Sequence, residues 1–228
     1  MSQTVLVVAA HSDDEALGCA GTLARHAERG DRIGVVFLTN GVSSREHANQ
    51  KAIRDREGAM LRSLKVLGVS HHTRLDFPDN SLDSVPLLSV TKALETVCKE
   101  AGLPDIVYTH HPFDLNVDHQ VAHRAALTCF RPQPHCTGRP ARILSFEVLS
   151  STGWFGGSDS TAFCPNYFVD ISTTLERKLK ALQAYAEEMH PFPHARSVIA
   201  AEALAKFRGA TIGSTAAEAF SVERIIEK

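Results

Sequence analysis

The stretch "VLVVAAHSDDEALG", residues 5–18, decides how the chain reads. Val5, Leu6, Val7 and Val8 are apolar β-formers that run into Ala9 and Ala10, and the next residues are His11, Ser12, Asp13, Asp14 and Glu15. Three acids in a row against a buried strand repel one another and lose hydration, so something positive must offset them. The segment that follows, "EALGCAGTLARHAERG", puts Leu17, Ala20, Leu23 and Ala27 on one helical face, with Gly30 placed to end the helix. The stretch is therefore a strand, a polar turn and a helix, which is one β–α unit.

Outward from it the same alternation continues. "RIGVVFLT" reads as a second buried strand, and a long helix runs through "REHANQKAIRDREGAMLRSLKVLG", where Ile53, Met60, Leu64 and Leu67 share a face and Gly68 stops it. "TRLDF" is a third strand, "VPLLSVTKALETVCKEAG" a third helix and "DIVYTHH" a fourth strand. After "VDHQVAHRAALTCF" comes a loop over 131–139, then strands in "ARILSFEVL" and "NYFVDIS", helices over 173 to about 188 and in "SVIAAEALAKFRG", and a last strand in "AFSVERII". The expectation is an α/β fold, Rossmann-like, with three α/β/α layers around a mostly parallel sheet. No repeat or linker divides the chain, so 1–228 reads as a single domain.

Composition narrows the function by exclusion. Hydrophobic residues at 43% and charged residues at 22% are ordinary for a soluble globular chain. With 24 basic against 26 acidic residues and a formal net charge of -2, no global field points to nucleic acid or to an anionic membrane. No apolar run approaches the ~20 residues of a membrane span, and Met-Ser-Gln is not a basic leader, so a cytoplasmic protein is expected. Cys19, Cys98, Cys129, Cys136 and Cys164 form no CxxC pair; they read as small core residues rather than thiolate ligands or a disulfide framework.

In open parallel sheets the ligand crevice lies beyond the carboxyl ends of the strands. Residues 11–14, 39–45, 76–83 and 110–119 follow the first four strands, so their polar side chains converge there. Histidine and aspartate converging without suitable cysteine suit a metal such as zinc, held with one position open to water. Of the adjacent pair Asp13 and Asp14, one can hold the metal while the other faces the water as a base. Each segment also has a plainer reading. Acids after a strand cap a helix, and His119 with His123 is the spacing of a surface histidine pair. The absence of G-x-G-x-x-G after the first strand argues against a pyrophosphate held in that turn.

These motifs resemble the PIG-L/LmbE-like family of metal-dependent N-deacetylases, which act on glucosamine-type conjugates. "AHSDDE" matches its A-H-P-D-D-E motif, and "NVDH" within "HHPFDLNVDHQVAH" matches its H-P-D-H motif. "LTNGVSSR", "REGAMLRSLKVLGV" and "LDFPDN" support it in order. The resemblance implies one Zn2+ per chain held by His11, Asp14 and His119, with Asp13 as general base and an amino-sugar conjugate as substrate. It aligns Arg45 and Asp79 with sugar-holding loop positions, and homo-oligomers are common in the family. Two departures stand out: Ser12 replaces proline, and Asn116 stands where many members carry histidine. An amide donates a hydrogen bond but delivers no proton, so Asn116, His110 or His111 is left to meet the oxyanion. Alternatives are a zinc amidase for a different N-acyl group and a Rossmann-like module without catalysis. Arg56 and Glu57 read as helix-surface or structural ion pairs, while His190, His194, Trp154 and Phe155 are open between the crevice mouth and plain surface.

Overall fold

The computed structural model describes residues 2–46, 48–132 and 140–227. Seven strands and six α-helices follow one another as β1 (Thr4–Ala9), α1 (Asp14–Glu28), β2 (Arg32–Thr39), α2 (Gln50–Leu67), β3 (His71–Phe77), α3 (Leu87–Ala101), β4 (Ile106–His110), α4 (Val117–Cys129), β5 (Arg142–Phe146), β6 (Tyr167–Asp170), α5 (Leu175–Ala184), α6 (Val198–Thr211) and β7 (Ala217–Ile225). The strands form one sheet in the order β3-β2-β1-β4-β5-β7-β6. β1 to β5 pair in parallel, and β7 lies antiparallel between β5 and β6. This is the α/β architecture with a mostly parallel sheet that the alternation predicts. The loop expected over 131–139, with Cys136, falls largely outside the described residues.

Why β1 is apolar at every position follows from its two faces. Val5, Val7 and Ala9 pack with Phe37 of β2, Leu23 of α1, Leu64 of α2 and Leu182 of α5. Leu6, Val8 and Ala10 face the opposite layer, with Leu94 of α3 and Val121 and Ala125 of α4. A strand covered by helices on both sides has no face left for polar residues.

Two helix boundaries differ from the sequence pattern. α2 begins at Gln50 rather than near residue 45 because the Asn49 side chain accepts the Ala52 N–H at 2.9 Å and caps the helix there. α5 stops at Ala184, after which Tyr185 is fully buried and donates its phenol to Glu15 at 2.7 Å. Gly68 does end α2, in the left-handed conformation at φ 77. Among the described residues no helix is long and apolar enough to cross a membrane.

The chain leaves β1 toward β2 and β3 on one side and returns to β4 on the other. The crevice at this change of direction opens between the loops after β1 and β4. Those loops carry His11 to one wall and the start of α4 to the other.

Candidate metal centre and cleft

The turn after β1 is built around its own side chains. Asp14 begins α1 and its Oδ2 accepts the His11 N–H at 2.8 Å, which folds the carboxylate back under the histidine ring. Asp13 occupies φ 136, a region that costs a non-glycine residue on the order of 1–3 kcal/mol and that survives only where the surroundings impose it. Its side chain makes no capping bond. Instead Oδ1 meets Arg56 at 3.0 Å and Oδ2 meets Arg196 at 3.1 Å. The capping alternative therefore does not account for Asp13. Glu15 turns inward, where burial pushes its carboxyl up to about 7 although Tyr185, Ser63 and the Asp13 N–H all donate to it.

α4 brings the second half. His119 Nδ1 faces Asp114 Oδ1 at 3.1 Å, and Asp114 is itself held by the hydroxyls of Ser151 at 3.0 Å and Thr152 at 2.6 Å. A carboxylate on Nδ1 fixes the tautomer and leaves the Nε2 lone pair free, the usual arrangement behind a metal-binding imidazole. That Nε2 lies 3.3 Å from Asp14 Oδ1. His11 is treated in the same way, with Nε2 3.1 Å from Asp118 Oδ2 and Nδ1 3.3 Å from Asp14 Oδ2.

Which of these residues fit a metal is decided by what each oxygen already does. His11, Asp14 and His119 each offer one ligand atom, all within 4.8 Å of one another, and so do His11, Asp79 and Asp118. In the second group the oxygens are engaged: Asp118 accepts the Asn80 and Leu82 N–H groups, and Asp79 accepts from Thr39 and Ser44. In the first, Asp14 Oδ1 is buried with no hydrogen-bond partner. A buried carboxylate oxygen without a donor is a gap that a cation fills. The first group fits a divalent ion, and its imidazole and carboxylate donors suit zinc.

Without an ion the same groups hold protons. Burial alone lowers His11, but hydrogen bonds to Asp118 and Asp14 outweigh it and raise the ring to about 10. Burial also lowers His119, and the charge of Asp14 and the bond to Asp114 lift it to about 9. Asp14 is held well below the carboxylate range, its burial outweighed by the charge of His119 and the bond from His11.

The expected residues do not all reach the cleft. A space of about 480 Å³ is lined by His11, Asp13, Arg45, Asp79, Asn116 and Arg196, among others. His110, expected to meet substrate, is fully buried behind His119, with ring centroids 3.9 Å apart, and its Nε2 accepts the Ala10 N–H at 3.0 Å. Burial drives its pKa well below the ordinary histidine value, so it is neutral packing for the ligand ring. His111 is buried against the Thr161 carbonyl at 3.1 Å and lies outside that space. Neither ring opens into that space in this fold; both are buried beside it. The oxygens of Asp79 are taken up by Thr39 and Ser44, so it braces the loop after β2.

Asn116 caps α4: its Oδ1 accepts the Asp118 N–H at 2.8 Å, so its Nδ2 points the other way, donating to Asn80 Oδ1 at 3.1 Å with one proton to spare. Arg56 is buried rather than on the helix surface. It joins Asp13 to Glu188 (2.5 Å), and Glu188 also accepts from Arg45 at 2.8 Å. Ser12 takes up the place of the absent proline by accepting from Arg56 Nε at 2.9 Å. Trp154 and His194 meet edge to face at 5.9 Å on the surface, with Trp154 more than half exposed.

Sequence patterns missed Asp114, Glu188 and Arg196. Asp114 stands five residues before His119 and was discoverable as a carboxylate behind an imidazole, whereas Glu188 and Arg196 lie in loops far along the chain with no spacing to mark them.

The model of the family described as PIG-L, GlcNAc-PI de-N-acetylase, matches residues 6–130. The uncharacterized deacetylase YaiS of Escherichia coli is 33% identical over 148 residues, 62% of this chain and 77% of that protein. Diacetylchitobiose deacetylase of Thermococcus kodakarensis is 28% identical over 205 residues, covering 81% and 69%. Among solved structures, the conserved protein TT1542 of Thermus thermophilus superposes with a TM-score of 0.79 at 26% identity, covering 100% of this chain and 97% of its own.

Proposed function

The chain belongs to the PIG-L family, and on that premise we propose that it is a zinc-dependent N-deacetylase acting on an N-acetylglucosamine-type sugar conjugate. The observation that carries the reading is Asp14 Oδ1, buried without a partner between His11 and His119. The Thermococcus relative's action on diacetylchitobiose supports an acetamido sugar as the substrate class.

In this reading His11 Nδ1, Asp14 Oδ1 and His119 Nε2 hold one ion. When bound, the ion supplies Lewis acidity for the amide carbonyl and lowers the pKa of water toward ~7. Asp13 takes the proton of the attacking water. Its Oδ1 stays locked to the buried Arg56, while Oδ2 faces the partly exposed Arg196, which Ser150 also holds at 2.8 Å. Asn116 donates its spare Nδ2 proton to the carbonyl oxygen as negative charge grows there. The proton held on Asp13 then passes to the leaving amine, since Asn116 has none to give. Arg45, half-exposed at the mouth beside Glu188, meets sugar hydroxyls.

The test is acetate release from a panel of N-acetylglucosamine glycosides, nucleotide sugars and thiol conjugates, using zinc-reconstituted and chelator-treated protein. Release from at least one amino-sugar substrate, abolished by chelation, is expected. Zinc-loaded protein that releases acetate from none, or only from N-acyl compounds lacking a sugar, overturns the substrate class.

A further inference from the structure

Cys98 lies in the last turn of α3 and Cys129 is the last residue of α4. The two helices pack in one layer and bring both cysteines to one face of the seam between them. Both cysteines line a surface cavity together with Glu95, Lys99, Leu103, Phe130 and Arg131. Cys98 is almost covered and Cys129 is half-buried, so the pair is reached from the cavity. The pair is remote from the metal centre: ten residues of helix separate His119 from Cys129, about 15 Å at 1.5 Å per residue.

We propose that Cys98 and Cys129 are a reversible dithiol–disulfide site, oxidised by hydrogen peroxide and reset by a small thiol. Neither sequence spacing nor the deacetylase chemistry assigns them a role, because they are 31 positions apart and only the packing of α3 on α4 joins them. An inert core cysteine is walled by apolar groups. Here the wall is polar, with Lys99 and the Arg131–Glu95 ion pair (3.3 Å) lining the same cavity as the two sulfurs. The bond from Cys129 lowers the Cys98 thiol while Cys129 is raised, so Cys98 ionises first.

The chemistry balances in two steps. The Cys98 thiolate attacks one peroxide oxygen, the O–O bond breaks, an S–O bond forms and hydroxide leaves to be protonated to water. The Cys129 sulfur then attacks the Cys98 sulfur, the S–O bond breaks, and the departing hydroxyl leaves as water with the Cys129 proton. Two thiols give up two electrons and two protons, and one peroxide becomes two waters.

The experiment treats the metal-loaded chain with hydrogen peroxide and maps its peptides before and after dithiothreitol. A cross-link between the peptides of Cys98 and Cys129, in most chains and removed by dithiothreitol, is expected before the exposed Cys164 is extensively oxidised. Cys129→Ser should abolish the link and leave Cys98 trapped by dimedone as a sulfenic acid. Two alkylatable thiols after Cys164 has been consumed, or a link from either cysteine to Cys136, overturn the proposal. The wild-type map decides the matter even if the serine variant fails to fold.

Discussion

Asp13 and Asp14 are neighbours in sequence with opposite surroundings, one between two guanidinium groups and one against two imidazoles. Their substitution should therefore separate. Asp13→Asn keeps the Arg56 contact through its amide oxygen and should retain the metal while turnover falls by at least ~10²-fold, the lower end for a positioned acid–base group. Asp14→Ala removes the orphaned oxygen and should lose the metal itself, as elemental analysis of both variants would show. Metal loss from Asp13→Asn with retention in Asp14→Ala would mean that the roles are reversed. Asn116→Ala should lower kcat by roughly 10²-fold, the size expected for one oxyanion donor. It should also destabilise α4 by about 1 kcal/mol, because the same residue caps the helix. Unchanged turnover in Asn116→Ala, with lowered stability alone, would leave the residue only its capping role. The motif residues are legible in sequence because they are consecutive and chemically odd beside an apolar strand. Glu188 and Arg196 are not, since only the closing of the fold sets them against Arg56 and Asp13.

α1 is placed by small residues as much as by its apolar face. A Cβ at Gly18 would lie 2.2 Å from the Phe146 ring of β5, and one at Gly21 would lie 2.7 Å from Ile171. The close approach presses the helix that starts at Asp14 onto the sheet, which keeps the ligand turn in register with β4 and α4. Alanine is the better helix former, yet Gly18→Ala should cost about 1–3 kcal/mol by overpacking. In a chain of this size the unfolding midpoint would drop by roughly 2–4 °C per kcal/mol. A midpoint raised by Gly18→Ala would show that Phe146 yields freely. The apolar periodicity of α1 predicts a helix but not this contact, because a glycine in a helix reads as a weakness until the side chain opposite it is known. Asn49 and Gly68 were easier, since a cap and a left-handed stop act on their own helix.

Across the whole molecule, β1, α1 and α4 meet at His11, Asp14 and His119, so an ion held there would clamp elements that are far apart in sequence. Its removal should lower the unfolding midpoint, by an amount equivalent to ~2.7 kcal/mol when the ion had been present at 100 times its Kd. The pH dependence has a definite sign. His11 and His119 are raised to about 10 and about 9 in the metal-free fold, so the stability they contribute is complete below the unfolded histidine value of ~6.5. It is lost as pH climbs through about 9 and about 10. Metal must displace those protons, so its affinity should rise from neutral pH toward 10, with up to two protons released per ion near pH 7.5. Titration calorimetry in buffers of differing ionisation enthalpy would read that number, and zero release would contradict the assigned ligands. The sheet carries one further consequence. β7 is last in chain order yet sits inside the sheet, between β5 and β6, and its Glu218 binds the α1 backbone and Lys178. On the ribosome, the free edge of β5 must wait for residue 225, so a nascent chain carries every ligand long before it can close the sheet that supports them. Chains cut before Ala217 should collect in the insoluble fraction, and a soluble, metal-retaining fragment would show that the earlier strands stand without it.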